Sequence, residues 1–319
     1  MDSATQRPIE LRSDTSPEPA PPVGRYYDVE GVRLLLHQSG SGGPAVVFLA
    51  GGGAVGLDYL NVQQRAAELT TSVTYDRAGT GWSDAVDLPR TSVDVTDELR
   101  ALLNVAEVPA PYLMVGHSLG GLYARHYAQR FSGEVAGLVL LDPAHEDYSA
   151  YMPKDLVDQW NAWDPGEALP DELPAELIQF YRHLFEQEMT DWPEEISKVL
   201  VERHVSLAWL RAGLQEATNV EQLYDEVRHA GGMPDVPVII LTSMGIDPFK
   251  AAVSQGIPES LLREEIEGKR RLYTTWAHSL HGENRLIEDV GHVTLHFRRP
   301  DAVLQAIQDL IDRLDLHSE

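Results

Sequence analysis

Between residues 112 and 121 the chain reads Tyr-Leu-Met-Val-Gly-His-Ser-Leu-Gly-Gly. A short apolar run delivers one serine between glycines, and Leu119 to Phe131 then carries apolar residues at helical spacing. A strand that turns at once into a helix leaves little room beside its corner residue, which gives Gly116 and Gly120 a steric role. G-x-S-x-G in that strand–turn–helix setting holds a serine hydroxyl exposed at the apex of a sharp turn. Ser118 is therefore the candidate nucleophile.

The surrounding pattern is alternating. Tyr26–Val29 and Val32–His37 flank a Glu30-Gly31 turn and predict a hairpin. Apolar runs at Ala45–Leu49, Ser72–Tyr75, Tyr112–Val115, Ala136–Leu141 and Val238–Thr242, with a weaker one at Arg285–Glu288, predict further strands. Helical periodicity lies between them at 58–69, 93–105 and 119–131, and again at 301–314 behind a Pro300-Asp301 start. Such a pattern specifies an α/β fold: a mostly parallel, eight-stranded sheet covered by helices on both faces. Ligands on these sheets bind beyond the carboxyl ends of the strands, so the loops that follow strands carry the functional information.

Composition narrows the classes. The 319 residues include 25 Lys+Arg against 50 Asp+Glu, a net charge of −25. That field repels phosphates, so neither nucleic acid nor an anionic membrane surface is an expected partner. There is no cysteine, which excludes disulfides and thiolate chemistry. Residues 1–24 are rich in Pro, Ser and acidic residues and read as a disordered tail. With no basic start before an apolar stretch, and no apolar run near about 18 residues, a cytoplasmic location is the default expectation. The sequence specifies no oligomeric state.

Four loops carry candidate chemistry. A serine hydroxyl needs a base, and His292, in Asp289-Val290-Gly291-His292 between the last strand and the last helix, can reach the sheet's functional edge. His117 reads as a residue of the turn, and His126 and His145 as core histidines. A carboxylate must orient the imidazole. Asp247 and Asp142 each follow a strand at the same edge, and Asp247 is favoured with Asp142 as the alternative. An oxyanion needs two backbone donors: Leu119, after the serine, and Gly52 of Ala50-Gly51-Gly52-Gly53, with Gly53 as the other register. Asp76-Arg77-Ala78-Gly79-Thr80-Gly81-Trp82-Ser83-Asp84 reads as a hydrogen-bonded loop supporting the glycines, with Trp82 at the pocket. No metal is called for, since His278 and His281 lack companion carboxylates at ligand spacing.

Over residues 26–314 the chain resembles the α/β-hydrolase superfamily, of esterase/lipase type. The resemblance rests on the Asp-Arg-x-Gly-x-Gly-x-Ser-Asp loop at 76–84, Gly-His-Ser-Leu-Gly-Gly at 116–121 and Asp-Val-Gly-His at 289–292. It implies a Ser118–Asp247–His292 triad, an oxyanion hole from Gly52 and Leu119, and no cofactor. The chain departs from the pattern at Ala50, where many members carry histidine, and in a longer stretch between Asp247 and His292. The resemblance also implies a division into a core of 25–142 and 237–319 and an inserted helical cap of 143–236. Within that insertion Leu173–Phe185, Glu194–Leu214 and Val220–Arg228 are helical in pattern. Its aromatics Trp160, Trp163, Trp192 and Trp209, alongside Phe180, Tyr181 and Phe185, suggest an apolar pocket roof. The expected activity is hydrolysis of a small hydrophobic ester or lactone through an acyl-enzyme. The alternatives are a transferase, thioesterase or cyclase using the same triad, or a non-hydrolytic receptor on the same fold.

Overall fold

The computed structural model describes residues 20–162 and 173–316. Eight strands are formed by Arg25–Val29 (β1), Val32–Ser39 (β2), Ala45–Leu49 (β3), Ser72–Tyr75 (β4), Tyr112–His117 (β5), Val135–Leu141 (β6), Val238–Ser243 (β7) and Glu283–Ile287 (β8). They make one sheet in the order β1-β2-β4-β3-β5-β6-β7-β8. β2 runs antiparallel to both β1 and β4, and every pairing from β4 to β8 is parallel.

The central strands are apolar on consecutive residues because both sheet faces are covered. Val47, Leu49, Met114, Leu138 and Ile240 pack beneath the helices Ser92–Val105, Leu119–Arg130 and Glu259–Ser279. Val46, Phe48, Val115, Leu141 and Ile239 pack on the other face, against the helices Leu60–Ala66 and Pro300–Leu316. Register brings the carboxyl ends of neighbouring strands level: Leu49 pairs with Gly116, His117 with Leu141, and Ser243 with Ile287. One sheet edge therefore carries the glycine loop, Ser118, Asp142, Ser243 and the approach to His292. Among the described residues no helix is long and apolar enough to cross a membrane.

Between β6 and β7 lie the helices Tyr148–Tyr151, Lys154–Ala162, Ala175–Glu188, Glu194–His204, Leu207–Glu216 and Val220–His229. Two expectations change in detail. The stretch 194–214 is two helices rather than one, because the Ser206 hydroxyl accepts the Trp209 N–H and caps a new start. The stretch 58–69 opens as a 3-10 turn at Gly56–Tyr59 before the helix Leu60–Ala66, with the Asp58 carboxylate accepting the Val55 N–H at 2.8 Å. A short helix absent from the sequence reading, Pro248–Val253, starts directly behind Asp247.

The turn at Ser118 depends on close backbone approach. A Cβ at Gly120 would lie 2.1 Å from the Leu49 carbonyl oxygen and 2.5 Å from that of Ala50, both backbone atoms of the adjacent strand end. Gly120→Ala is accordingly expected to cost about 1–3 kcal/mol in urea denaturation. Gly133→Ala, where a Cβ meets nothing within 4 Å, should stay within about 0.5 kcal/mol of the parent. Equal stability of the two variants would contradict the packing described.

Candidate active site

Ser118 sits at φ 51°, ψ −121°, a conformation that costs a non-glycine residue about 1–3 kcal/mol. The surrounding chain imposes it. The Ser118 N–H donates to Leu141 O at 3.0 Å, and the Ser118 carbonyl accepts N–H groups of Gly121 and Ala144 at 2.9 and 2.8 Å. The strained corner is thus tied to its own helix and to the end of β6. Asp142, the next residue of that strand's exit, also has positive φ (44°).

The carboxylate of Asp142 is completely buried. Its Oδ1 accepts the Ser243 N–H at 3.0 Å. Its Oδ2 accepts the Ser243 hydroxyl, the Lys269 ammonium at 2.6 Å and the His292 ring Nδ1–H at 3.1 Å. Burial alone would raise its proton affinity, but the Lys269 charge and the His292 hydrogen bond outweigh that and hold the carboxyl well below the ordinary carboxylate range. With Nδ1 bonded to a carboxylate, the neutral imidazole presents a free Nε2. The His292 side chain is 41% exposed, within reach of a ligand.

The expectation that Asp247 contacts His292 is overturned. Asp247 caps the helix Pro248–Val253: its Oδ1 accepts the Lys250 N–H at 2.7 Å and its Oδ2 accepts the Val293 N–H at 2.8 Å. Asp247 braces the backbone of the His292 loop, while Asp142 touches the ring. Both aspartates sit past adjacent strands and both precede proline. Only the helix beginning at Pro248 separates them, because a proline at the first helical position marks the preceding Asp as an N-cap.

The glycine loop is similarly resolved by its partners. The Gly51 N–H donates to the Tyr59 hydroxyl at 3.3 Å, the Gly53 N–H to Glu216 Oε2 at 2.9 Å, and the Ala54 N–H to Gly51 O at 3.2 Å. Gly52 is the loop amide left without a hydrogen bond among the described residues. It lies against Leu119, whose side chain a Cβ there would meet at 3.5 Å. Leu119 begins its helix, so its N–H has no partner within that helix either. Arg77 locks the loop from below: it donates to Ala50 O at 2.6 Å, to Gly51 O at 2.9 Å and to Glu216 of the helix Leu207–Glu216. The Trp209 indole N–H, from the same helix, donates to Gly53 O.

His117 is buried and joins the two halves of the site. The Tyr59 hydroxyl donates to its Nδ1 at 2.7 Å, so Nε2 carries the proton given to the His292 carbonyl at 2.9 Å. Burial, reinforced by the neighbouring His292, pushes its pKa down to about 3, and the ring stays neutral.

Ser118 and His292 line two cavities. One, of about 330 Å³, is walled by Tyr181, Phe185, Trp209, Phe249 and Phe297 beside the glycine loop. The other, of about 260 Å³, has a polar wall of Asp142, Tyr148, Lys250, Glu265 and Lys269. Of the aromatics expected at the pocket, Trp209 lines it. Trp82 faces a separate cavity with Arg203, Trp160 packs on Tyr148, Trp192 packs on Phe297, and Phe180 is 39% exposed. Trp163 lies outside the described residues, as does most of the tail expected at 1–24. Tyr181 and Phe185 of the helix Ala175–Glu188 line the pocket as well, whereas Phe249, which lies outside the 143–236 stretch, has no counterpart in the sequence expectations.

The model of the alpha/beta hydrolase family matches residues 46–306, and the chain belongs to that family. YqjL of Bacillus subtilis, an uncharacterized protein, is 36% identical over 135 residues, which is 41% of this chain and 53% of that protein. The probable transporter efuK of Hormonema carpetanum is 31% identical over 181 residues, 53% of this chain and 25% of that protein. The chain thus spans at most about half the length of these curated relatives. Among solved structures, Cfl2 from Burkholderia cenocepacia aligns at TM-score 0.64 and 20% identity, covering 92% of this chain and 97% of that one. A thermophilic esterase from Thermogutta terrifontis aligns at 0.58 and 18%, over 91% and 97%. Est816, an N-acyl homoserine lactone degrading enzyme, aligns at 0.56 and 18%, over 89% and 99%. At these identities the likeness is one of fold.

Burial also depresses His145, to about 4, with Arg125 adding to the effect. A histidine held neutral in the fold but free to protonate when unfolded lends stability that is present above about pH 6.5 and is lost as pH falls below it. Between pH 6.5 and 4.5 the parent should therefore lose up to about 1 kcal/mol per pH unit more than His145→Gln in denaturant titrations. Parallel pH profiles would show that His145 titrates normally in the fold.

Proposed function

We propose that the protein is a serine hydrolase that cleaves a carboxylic ester or lactone through an acyl-enzyme, with Ser118 as nucleophile, His292 as base and Asp142 as the orienting acid. The observation that carries the reading is the His292–Asp142 hydrogen bond at the rim where Ser118 is held in a strained turn. It fixes the imidazole tautomer a base requires, with Nε2 unprotonated.

His292 Nε2 takes the Ser118 hydroxyl proton as Oγ bonds to the substrate carbonyl carbon. The carbonyl oxygen becomes an oxyanion held by the N–H groups of Gly52 and Leu119, neither of which has another acceptor among the described residues. Collapse breaks the bond to the leaving alcohol, which takes the proton from His292. Water then repeats the sequence on the acyl-enzyme: its proton goes to His292, its oxygen to the carbonyl carbon, and Ser118 recovers its hydrogen. Asp142 remains ionised throughout and stabilises the transient imidazolium. A glycine-loop register using Gly53 is disfavoured, since Glu216 already takes that N–H.

The two cavities divide a substrate by polarity. The aromatic one beside the glycine loop suits an apolar acyl or ring portion, and the one walled by Lys250, Glu265 and Tyr148 suits a polar portion. The helices between β6 and β7 then serve as the cap, with Trp209 and Phe185 over the apolar portion.

A fluorophosphonate should label the protein at Ser118 with a stoichiometry of one, and Ser118→Ala should abolish both labelling and p-nitrophenyl ester turnover. Asp142→Asn should lower kcat by about 10³-fold or more, as loss of a triad acid does, and Asp247→Asn by far less. Labelling elsewhere, or binding without Ser118-dependent turnover, would refute the hydrolase. A larger loss at Asp247 would exchange the acids.

A further inference from the structure

Lys269 is the group in this site that the triad does not require. It stands on the inward stripe of the helix Glu259–Ser279, with Leu262, Glu265, Leu272 and Tyr273, and its side chain is 9% exposed. A lysine is rarely buried without a counter-charge. Its ammonium bonds Asp142 Oδ2 at 2.6 Å and Ser243 Oγ at 2.8 Å, while Ser243 itself donates to Asp142. One carboxylate oxygen therefore serves the Lys269 ammonium and the His292 ring together.

We propose that Lys269 is a positioning residue of the Asp142–His292 pair, which locks the carboxylate in place and, as a fixed positive charge, lowers the proton affinity of the His292 ring. This rests on the hydrolase reading above. A lone buried carboxylate favours imidazolium; one already paired with an ammonium favours it less, so the base stays unprotonated to lower pH. The other charges around the pair leave this balance intact. Glu265 is matched by Lys250 at 2.8 Å, and Asp247 is committed to backbone N–H groups. His117 stays neutral through burial, and Tyr148 and Tyr273 are raised well above the ordinary tyrosine value by theirs. Tyr224, on the facing helix, is raised to about 12 by its burial. Removing Lys269 leaves this set one negative charge richer next to His292.

Two readouts test this in the full-length protein and in Lys269→Met, Lys269→Gln and Lys269→Arg. The first is the NMR titration of the His292 ring in histidine-labelled protein; the second is the pH dependence of Ser118 labelling by a fluorophosphonate. Methionine and glutamine should each raise the His292 midpoint by about one pH unit and move the acid limb of labelling upward with it. Arginine, which keeps the charge, should hold the midpoint within about 0.3 units of the parent. Glutamine keeps a donor for Asp142, so it decides the matter if the methionine variant does not fold. An unmoved midpoint in folded Lys269→Gln overturns the proposal. A wild-type Ser118 that resists labelling at every pH, beside a midpoint that moves as described, sinks the hydrolase reading while upholding the coupling of Lys269 to His292.

Discussion

A fully buried carboxylate, Asp142, is the interaction on which the site is assembled. Its negative charge cannot be left bare at the end of β6, where the medium is poorly polarisable. The fold satisfies it with the Ser243 backbone and hydroxyl from β7, the Lys269 ammonium from the long helix, and the His292 ring from the loop after β8. Three segments far apart in the sequence are thereby drawn to one point. The positive φ of Asp142 is a local strain that these contacts hold in place, as the backbone bonds to Leu141, Gly121 and Ala144 hold that of Ser118.

The second support is neutral rather than ionic. Gly51, Tyr59, His117 and the His292 carbonyl form a hydrogen-bonded line from the glycine loop to the His292 backbone. It depends on His117 staying uncharged, which its burial enforces. Beneath it, Arg77 and Glu216 make a buried ion pair that also ties the glycine loop to the helix Leu207–Glu216. Glu216 and Trp209 of that helix thus engage Gly53, which leaves the Gly52 N–H open.

The sheet, the strand–turn–helix corner at Ser118 and the place of His292 after the last strand are legible in the sequence because their signals are local: apolar runs, a glycine-flanked serine, a histidine before the last helix. Choosing between Asp142 and Asp247 required a helix that six residues, Pro248–Val253, barely announce, although Asp-Pro ahead of Phe249 is a capping signature. The register of Gly52 against Gly53 depends on Glu216, more than 160 residues away, and no local pattern encodes that. Of the neighbouring aromatics Phe180, Tyr181 and Phe185, the last two line the pocket and Phe180 does not, since one residue along a helix turns a side chain by about 100°. Lys269 and Glu265 left a trace, two charged residues on an otherwise apolar helical stripe, and that trace becomes meaningful only once Asp142 lies opposite them.

The most direct test of this account is the proton between His292 Nδ1 and Asp142. In proton NMR of the resting protein it should give a strongly downfield, slowly exchanging signal correlated to the His292 ring. That signal should vanish in Asp142→Asn and survive in Asp247→Asn. Its survival without the 142 carboxylate, or its loss on changing 247, would show that the ring is held by some other acid.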